Sequence, residues 1–152
     1  MDLQTQAAEP SQIRAGRSFR VEVPVRWGDL DALNHVNNTV YFRYMEEARV
    51  QCIRASGMAV GAGQRNFVLA NVSCDFLRPI LWPATVLIDV QLHRVGRSSI
   101  EFDIEMSVKG EEGLCARARN VIVGVDANTA RPSPWTQAEL ACLETVFPGT
   151  GV

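Results

Sequence analysis

Strict alternation of apolar and polar residues marks several strands along the chain. In residues 98–109 every second side chain is apolar, which predicts a strand with one face in the core and the other in water. These apolar residues are Ile100, Phe102, Ile104, Met106 and Val108. Comparable patterns predict strands over residues 19–27, 66–77, 84–95 and 114–125.

Two features predict how these strands are arranged. The first strand contains Pro24, which is typical of an edge strand because proline donates no ladder hydrogen bond. Short connections that contain glycine, at residues 95–97 and 109–113, predict antiparallel hairpins between the last three strands.

A helical periodicity replaces the alternation between Asn38 and Ser56 and predicts one long helix. Gly57 follows in a position suited to end it. On the outer face, Glu46 and Arg49 are three residues apart and are expected to form a solvated ion pair. The apolar stripe consists of Val40, Tyr41, Tyr44, Met45, Ala48 and Cys52.

A short second helix is predicted near the C-terminus, where Ser133 and Pro134 resemble an N-cap and first turn. Its apolar residues are Leu140, Leu143 and Val146. The element order is therefore one strand, one long helix, four strands and a short helix. This order predicts an α+β fold with a five-stranded antiparallel sheet packed on one long helix.

The length and composition indicate one globular domain. The chain has 152 residues, 47% of them hydrophobic, and no apolar run approaches the roughly 20 residues that cross a bilayer. Residues 1–16 are polar and lack the apolar core of a signal peptide, so we expect a disordered leader before a single domain over residues 17–152. We therefore expect a cytoplasmic protein that makes no membrane contact.

Charge and cysteine usage argue against two further kinds of function. The formal net charge is -2 with both signs interspersed, so no basic surface for a nucleic acid is predicted. The four cysteines lack CxxC spacing and only two histidines accompany them. We expect buried thiols rather than a metal site.

The segment between the first strand and the long helix concentrates polar residues in the sequence WGDLDALNHVNN. Asn37 or Asn38 can cap the helix, and Asp29 and Asp31 can form turns through their carboxylates. The same helix N-terminus carries unpaired N–H groups that can stabilise an oxygen as it becomes negative. A carboxylate beside such donors could perform acyl transfer without a Ser-His-Asp triad.

Two motifs in this segment resemble the signature of hotdog-fold acyl-CoA thioesterases of the 4-hydroxybenzoyl-CoA thioesterase type: RWGDLD at residues 26–31 and NHVNNTVY at residues 34–41. The resemblance implies a hotdog fold, in which the sheet wraps around the long helix. It implies that Asp31 is the catalytic aspartate, acting as base or nucleophile. It also implies that the main-chain N–H of Asn38 polarises the thioester carbonyl. No cofactor is implied beyond the CoA of the substrate.

The resemblance gives other polar residues of the segment supporting roles. Asp29, Asn34 and His35 are expected to hold the turn and orient Asp31, although His35 could also act as a general base. Asn34 stands where many relatives have glycine, and asparagine is the non-glycine residue that best tolerates a left-handed conformation. The side chains expected to line the acyl pocket are Tyr41, Tyr44 and Met45.

The phosphates of CoA require positive groups, and a hairpin connection supplies the main candidates. These are Arg94, Arg97 and Ser98, in a region from which relatives contact the nucleotide. Arg65 and Arg78 are lesser candidates. The resemblance also implies a homodimer with sheets paired edge to edge and the acyl site between subunits, often doubled into a homotetramer.

Three alternatives stay open. Other hotdog thioesterases place a catalytic glutamate within the central helix, so Glu46 or Glu47 competes with Asp31. The acyl group could be carried by acyl carrier protein instead of CoA. A non-catalytic module could bind acyl-CoA in the same cavity.

Overall fold

The computed structural model describes residues 18–61 and 65–149, so the predicted leader at residues 1–16 lies outside the described residues. The helices are α1 (Asn38–Ser56) and α2 (Gln137–Val146), and a single 3-10 turn (Trp27–Asp29) precedes α1. The strands are β1 (Ser18–Pro24), β2 (Arg65–Phe76), β3 (Thr85–Val95), β4 (Ser99–Val108) and β5 (Leu114–Asp126).

All five strands form one antiparallel sheet in the order β1-β3-β4-β5-β2. The predicted hairpins join β3 to β4 and β4 to β5, whereas β2 lies beyond β5. β1 and β2 are therefore the two edges, and Pro24 lies on an edge strand as predicted. With α1 packed on the sheet, the predicted α+β hotdog architecture is confirmed.

The core lies between α1 and one face of the sheet. The alternation predicted for residues 98–109 is confirmed, because the five apolar residues of β4 are all buried. β3 adds Val86, Ile88 and Val90, and α1 adds Tyr41, Tyr44, Met45, Ala48 and Cys52. α2 contributes Leu143, and Phe147 beyond it packs on Phe102 with ring centroids 6.1 Å apart.

The first predicted strand was too long. β1 ends at Pro24, and Trp27 begins the 3-10 turn with 73% of its surface exposed. The turn is stabilised at Asp29, whose carboxylate accepts the main-chain N–H of Arg26 at 2.9 Å. Local hydrogen bonding therefore overrides the last step of the alternation.

The predicted start of the C-terminal helix was also wrong. α2 begins at Gln137 because Thr136 and Glu139 form a capping box. The Thr136 hydroxyl accepts the Glu139 N–H at 3.2 Å, and the Glu139 carboxylate accepts the Thr136 N–H at 2.8 Å. Ser133 instead donates its N–H to the carbonyl of Gly124 on β5.

Arg49 does not belong to the solvated face of α1, contrary to the prediction. Only 8% of its surface is exposed, and its guanidinium donates to the side-chain oxygen of Asn120 on β5. Glu46 stays exposed and forms no ion pair with it. Arg49 follows the buried Met45 by four residues, which places both on the sheet-facing side of the helix.

The cysteines are free thiols, and the prediction of burial is confirmed for Cys52 and Cys115 but only in part for Cys74 and Cys142. Burial raises the pKa of Cys52 to about 12 and that of Cys74 to about 11, so neither forms a reactive thiolate at neutral pH. No three His, Cys, Asp or Glu side chains of the described chain gather as metal ligands. Neither described helix has the length and apolar character needed to cross a bilayer.

Candidate active site

The backbone between β1 and α1 folds into a compact turn around Asp31. The Asp31 N–H donates to the His35 carbonyl at 2.8 Å, and the Asn34 N–H donates to the Asp31 carbonyl at 3.0 Å. Asn34 adopts a left-handed conformation with a φ of 58°, as expected for an asparagine in place of glycine. His35 holds the turn through its carbonyl, which accepts the Asp31 N–H. Its imidazole makes no hydrogen bond to any residue that the structure describes.

Replacing Asn34 by alanine is expected to lower the free energy of unfolding by about 1 kcal/mol. Alanine keeps the Cβ strain of this φ and lacks the short polar side chain that helps asparagine adopt it. Asn34→Gly should remain much closer to wild type, because glycine adopts left-handed conformations freely. Urea unfolding followed by circular dichroism measures both variants. Equal losses for alanine and glycine would contradict a backbone origin.

The Asp31 carboxylate is half-buried and lines a pocket of about 280 Å³. Its Oδ1 accepts the Leu33 N–H at 2.8 Å, while its Oδ2 accepts no hydrogen bond from residues 18–61 or 65–149. One oxygen is thus held by the turn, and the other is free to meet a water molecule or a substrate. The pocket is lined by Asp31, Leu33, His35, Val36, Asn38, Tyr41, Phe76, Leu77, Arg78 and Pro79.

The N-terminus of α1 opens on the same pocket. Asn37 is the N-cap, and its side-chain oxygen accepts the Thr39 N–H at 2.9 Å and the Thr39 hydroxyl at 2.8 Å. The Val40 N–H donates to the Asn37 carbonyl at 2.8 Å. The N–H of Asn38, the first helical residue, has no acceptor in the described part of the chain. Asn37 therefore caps the helix, while the main chain of its neighbour Asn38 keeps a free N–H donor.

Asp29 braces the turn against the helix from outside this pocket. Its Oδ2 accepts the Tyr44 hydroxyl at 2.7 Å, and its carbonyl accepts the Asn37 N–H at 2.9 Å. Burial, followed by the hydrogen bond to Asp29, raises the pKa of Tyr44. Asp29 and Tyr44 line a separate groove of about 720 Å³ on the β1 side of α1. Tyr44 is therefore placed to hold Asp29 rather than to line the pocket of Asp31.

Several pocket residues come from the end of β2 and the loop after it, and the sequence pattern did not single them out as such. Phe76 packs edge to face on Tyr41, with ring centroids 5.0 Å apart. Phe76 and Leu77 are 44% and 51% exposed, which makes them an apolar wall open to solvent. Met45, predicted as a pocket residue, is fully buried in the core and is absent from the lining of this pocket.

The predicted phosphate-binding residues lie far from Asp31 within one chain. Arg94 is near the end of β3, where it pairs with Glu101 at 3.1 Å, and Arg97 and Ser98 form the connection to β4. Asp31 follows β1, whose last residue pairs with the first residue of β3. β3 has 11 residues, so roughly 34 Å separate its ends at about 3.4 Å per residue.

The two lesser candidates for phosphate binding are occupied by contacts within the chain. Arg65 binds Glu139 and two main-chain carbonyls before α2, and its guanidinium lies 4.9 Å from the centre of the Trp135 ring. Arg78 lines the pocket of Asp31, but its guanidinium pairs with Glu111 at 2.7 Å. Both arginines hold segments of the fold together.

Comparison with known proteins agrees with the hotdog architecture. The solved structure of the PA2801 protein of Pseudomonas aeruginosa matches with a TM-score of 0.75 and 32% identity, covering 82% of this chain and 96% of that one. A thioesterase from Thermus thermophilus, complexed with coenzyme A and Zn, matches with a TM-score of 0.72 and 33% identity over 84% and 92% of the two chains.

A family model identifies the family, and a sequence relative agrees with it. The long-chain acyl-CoA thioesterase FadM of Escherichia coli (strain K12) is 28% identical over 116 residues, which cover 74% of this chain and 87% of FadM. The fold and these relatives define a thioester hydrolase of the hotdog type. Residues 25–142 match the family model of the thioesterase-like superfamily, and the chain belongs to that family.

Proposed function

We propose that this enzyme hydrolyses acyl-CoA thioesters, with Asp31 as base or nucleophile and the Asn38 N–H as the donor to the thioester oxygen. One observation carries the proposal: a carboxylate oxygen and a main-chain N–H, both without a partner in the described chain, belong to residues of the same pocket. The substrate class is supported by the acyl-CoA thioesterase FadM and by the Thermus relative that holds coenzyme A.

The proposed reaction needs few groups because a thioester is electrophilic and a thiolate leaves readily. In the general-base form, Asp31 Oδ2 takes a proton as a water oxygen bonds to the carbonyl carbon. The carbonyl oxygen becomes negative and accepts a hydrogen bond from the Asn38 N–H. The tetrahedral intermediate then expels the CoA thiolate, the C–S bond breaks, and the thiolate is protonated. In the nucleophilic form, Asp31 attacks first and water hydrolyses the resulting anhydride.

Steady-state release of free thiol from a panel of acyl-CoAs tests this function. We expect turnover of at least one chain-length class, and we expect EDTA to leave it unchanged because the proposed reaction uses no metal or other cofactor. Tight binding of acyl-CoA without thiol release would favour a binding module. Turnover of acyl carrier protein thioesters alone would favour the carrier protein as acyl donor.

A cytoplasmic location stays a prediction.

We further propose that the active form is a homodimer joined through the free edge of β2. Among the strands that the structure describes, β2 pairs with β5 on one side and with none on the other. It exposes Val68, Leu69 and Phe76, which are 50%, 43% and 44% accessible. An edge strand with exposed apolar side chains is suited to pair with a second copy about a two-fold axis. Such dimers could pair again into a tetramer.

This arrangement gives the hairpin of Arg94, Arg97 and Ser98 a role in the partner's site. Antiparallel pairing of two β2 strands sets the start of one beside the end of the other. The β3–β4 hairpin of one subunit would then lie near the pocket of Asp31 in the partner subunit. We propose that the two arginines bind CoA phosphates across the dimer, which one subunit cannot do alone.

Mixing two inactive variants tests the shared site. One variant carries Asp31→Asn and the other carries Arg94→Ala, Arg97→Ala and Ser98→Ala. After random exchange, half of the dimers are mixed and each has one intact site, so we expect about a quarter of wild-type activity at substrate concentrations far below KM. Activity no higher than that of the unmixed variants would show that each subunit uses its own hairpin or none.

A further inference from the structure

Arg49 is a buried cation that the proposed reaction does not use. It donates from Nη1 to Oδ1 of Asn120, and Asn120 is fully buried with its Nδ2 at 3.3 Å from the sulfur of Met45. Burial lowers the pKa of the Arg49 guanidinium, and only the exposed Glu46 acts in the opposite direction. No carboxylate of the described chain forms an ion pair with Arg49. Buried charges are normally paired, and Arg49 departs from this rule because it lacks a counter-charge among the described residues.

Two nitrogens of this largely buried guanidinium are left without a hydrogen bond. Nε and Nη2 of Arg49 make no hydrogen bond to any described residue. Each keeps at least a small accessible area, because Nε of Arg117, which pairs with Glu105 at 3.5 Å, is the one enclosed side-chain atom of the described ranges that lacks a hydrogen bond. Nε and Nη2 form one edge of the planar fork, and that edge matches the two oxygens of a carboxylate.

Arg49 lies on the same side of α1 as the free N–H of Asn38. The two residues are eleven positions apart, which is close to three full turns. The guanidinium reaches Asn120 beside Met45, so it lies roughly 10 to 16 Å along the helix axis from Asn38 at about 1.5 Å per residue. Between them Phe42 packs on Phe76 of β2 with ring centroids 6.4 Å apart, which gives this side of the helix an apolar wall.

We propose that Arg49, held by Asn120, binds a carboxylate at the far end of the acyl chain. The substrate class would be the mono-CoA esters of dicarboxylic acids, and this inference rests on the proposed function. An extended chain advances about 1.2 Å per bond, so the separation corresponds to roughly eight to thirteen bonds. A chain that ends in a methyl group leaves the guanidinium without its counter-charge.

A matched pair of substrates tests the inference: decanoyl-CoA and the mono-CoA ester of decanedioic acid. The wild type should favour the carboxylate substrate in kcat/KM by about ten- to a hundredfold, the effect of a charge-assisted hydrogen-bonded pair. Arg49→Met should remove this preference, mainly by raising KM for the carboxylate substrate. Arg49→Lys should retain part of it, because lysine keeps the charge but loses the fork. Arg54→Met, at an exposed position of the same helix, is the control and should leave the preference unchanged.

The outcomes separate this inference from the proposed function. Equal kcat/KM for the two substrates in the wild type, or an unchanged preference in Arg49→Met, would overturn the role of Arg49 while acyl-CoA hydrolysis still stands. Failure of the wild type to hydrolyse any acyl-CoA would overturn both. If circular dichroism shows that Arg49→Met does not fold, Arg49→Lys decides the question. In that case, a preference of Arg49→Lys for the carboxylate substrate equal to that of the wild type would count against the inference.

Discussion

Asp31→Asn is expected to lower kcat by about 10²- to 10⁴-fold, the range that a positioned general base contributes. An amide can neither take the proton of water nor attack the thioester. Its oxygen can still accept the Leu33 N–H, which Asp31 Oδ1 accepts at 2.8 Å. The turn should therefore persist, and the loss should appear in thiol release while the free energy of unfolding and the affinity for CoA stay near those of the wild type.

The glutamates of α1 supply the matched controls for this prediction. Glu46 and Glu47 are exposed on the helix and line the groove on the β1 side, away from the pocket of Asp31. Glu47 also accepts a hydrogen bond from Gln51 at 2.7 Å. Glu46→Gln and Glu47→Gln should keep kcat within a few-fold of the wild type. If either glutamate variant loses turnover while Asp31→Asn stays active, the catalytic carboxylate is on the helix and is not Asp31.

Local patterns in the sequence predicted those parts of the fold that depend on neighbours along the chain. The apolar stripe and Gly57 predicted α1 with its observed bounds, because a helix is decided by periodicity and by its ends. The alternation in residues 98–109 predicted which face of β4 is buried. The dense polar segment likewise predicted that Asp29 and Asp31 precede the N-terminus of α1, since turn and cap are both local, whereas the choice of Asp31 came from the resemblance to thioesterases.

What the sequence left open depends on contacts between distant segments. Phe76 joins the pocket only because β2 lies along β5 and ends beside Tyr41, and no short-range pattern encodes that neighbour. Arg49 looked like a surface partner of Glu46 because spacing alone cannot reveal a polar acceptor such as Asn120 on a strand 71 residues away. The position of the β3–β4 hairpin relative to Asp31 required the strand register.

Asn38→Pro is expected to lower kcat by about 10²- to 10³-fold, the contribution of one main-chain donor to a developing oxyanion. Proline removes the N–H without removing the helix, because the first helical position is where proline is best tolerated. The residue before it already suits proline, since Asn37 is extended with φ -60° and ψ 139°. Loss of a donor that acts only in the transition state lowers kcat and kcat/KM together.

Asn38→Ala is the matched control, because it removes the side chain and keeps the N–H. It should therefore retain activity within a few-fold of the wild type, and both variants should keep the helical signal in circular dichroism. An active Asn38→Pro would remove this N–H from the reaction. An inactive Asn38→Ala would instead assign the effect to the amide side chain of this pocket residue. A large loss of kcat in Asn38→Pro, with little change in Asn38→Ala, would identify the main-chain N–H as the group that stabilises the oxyanion.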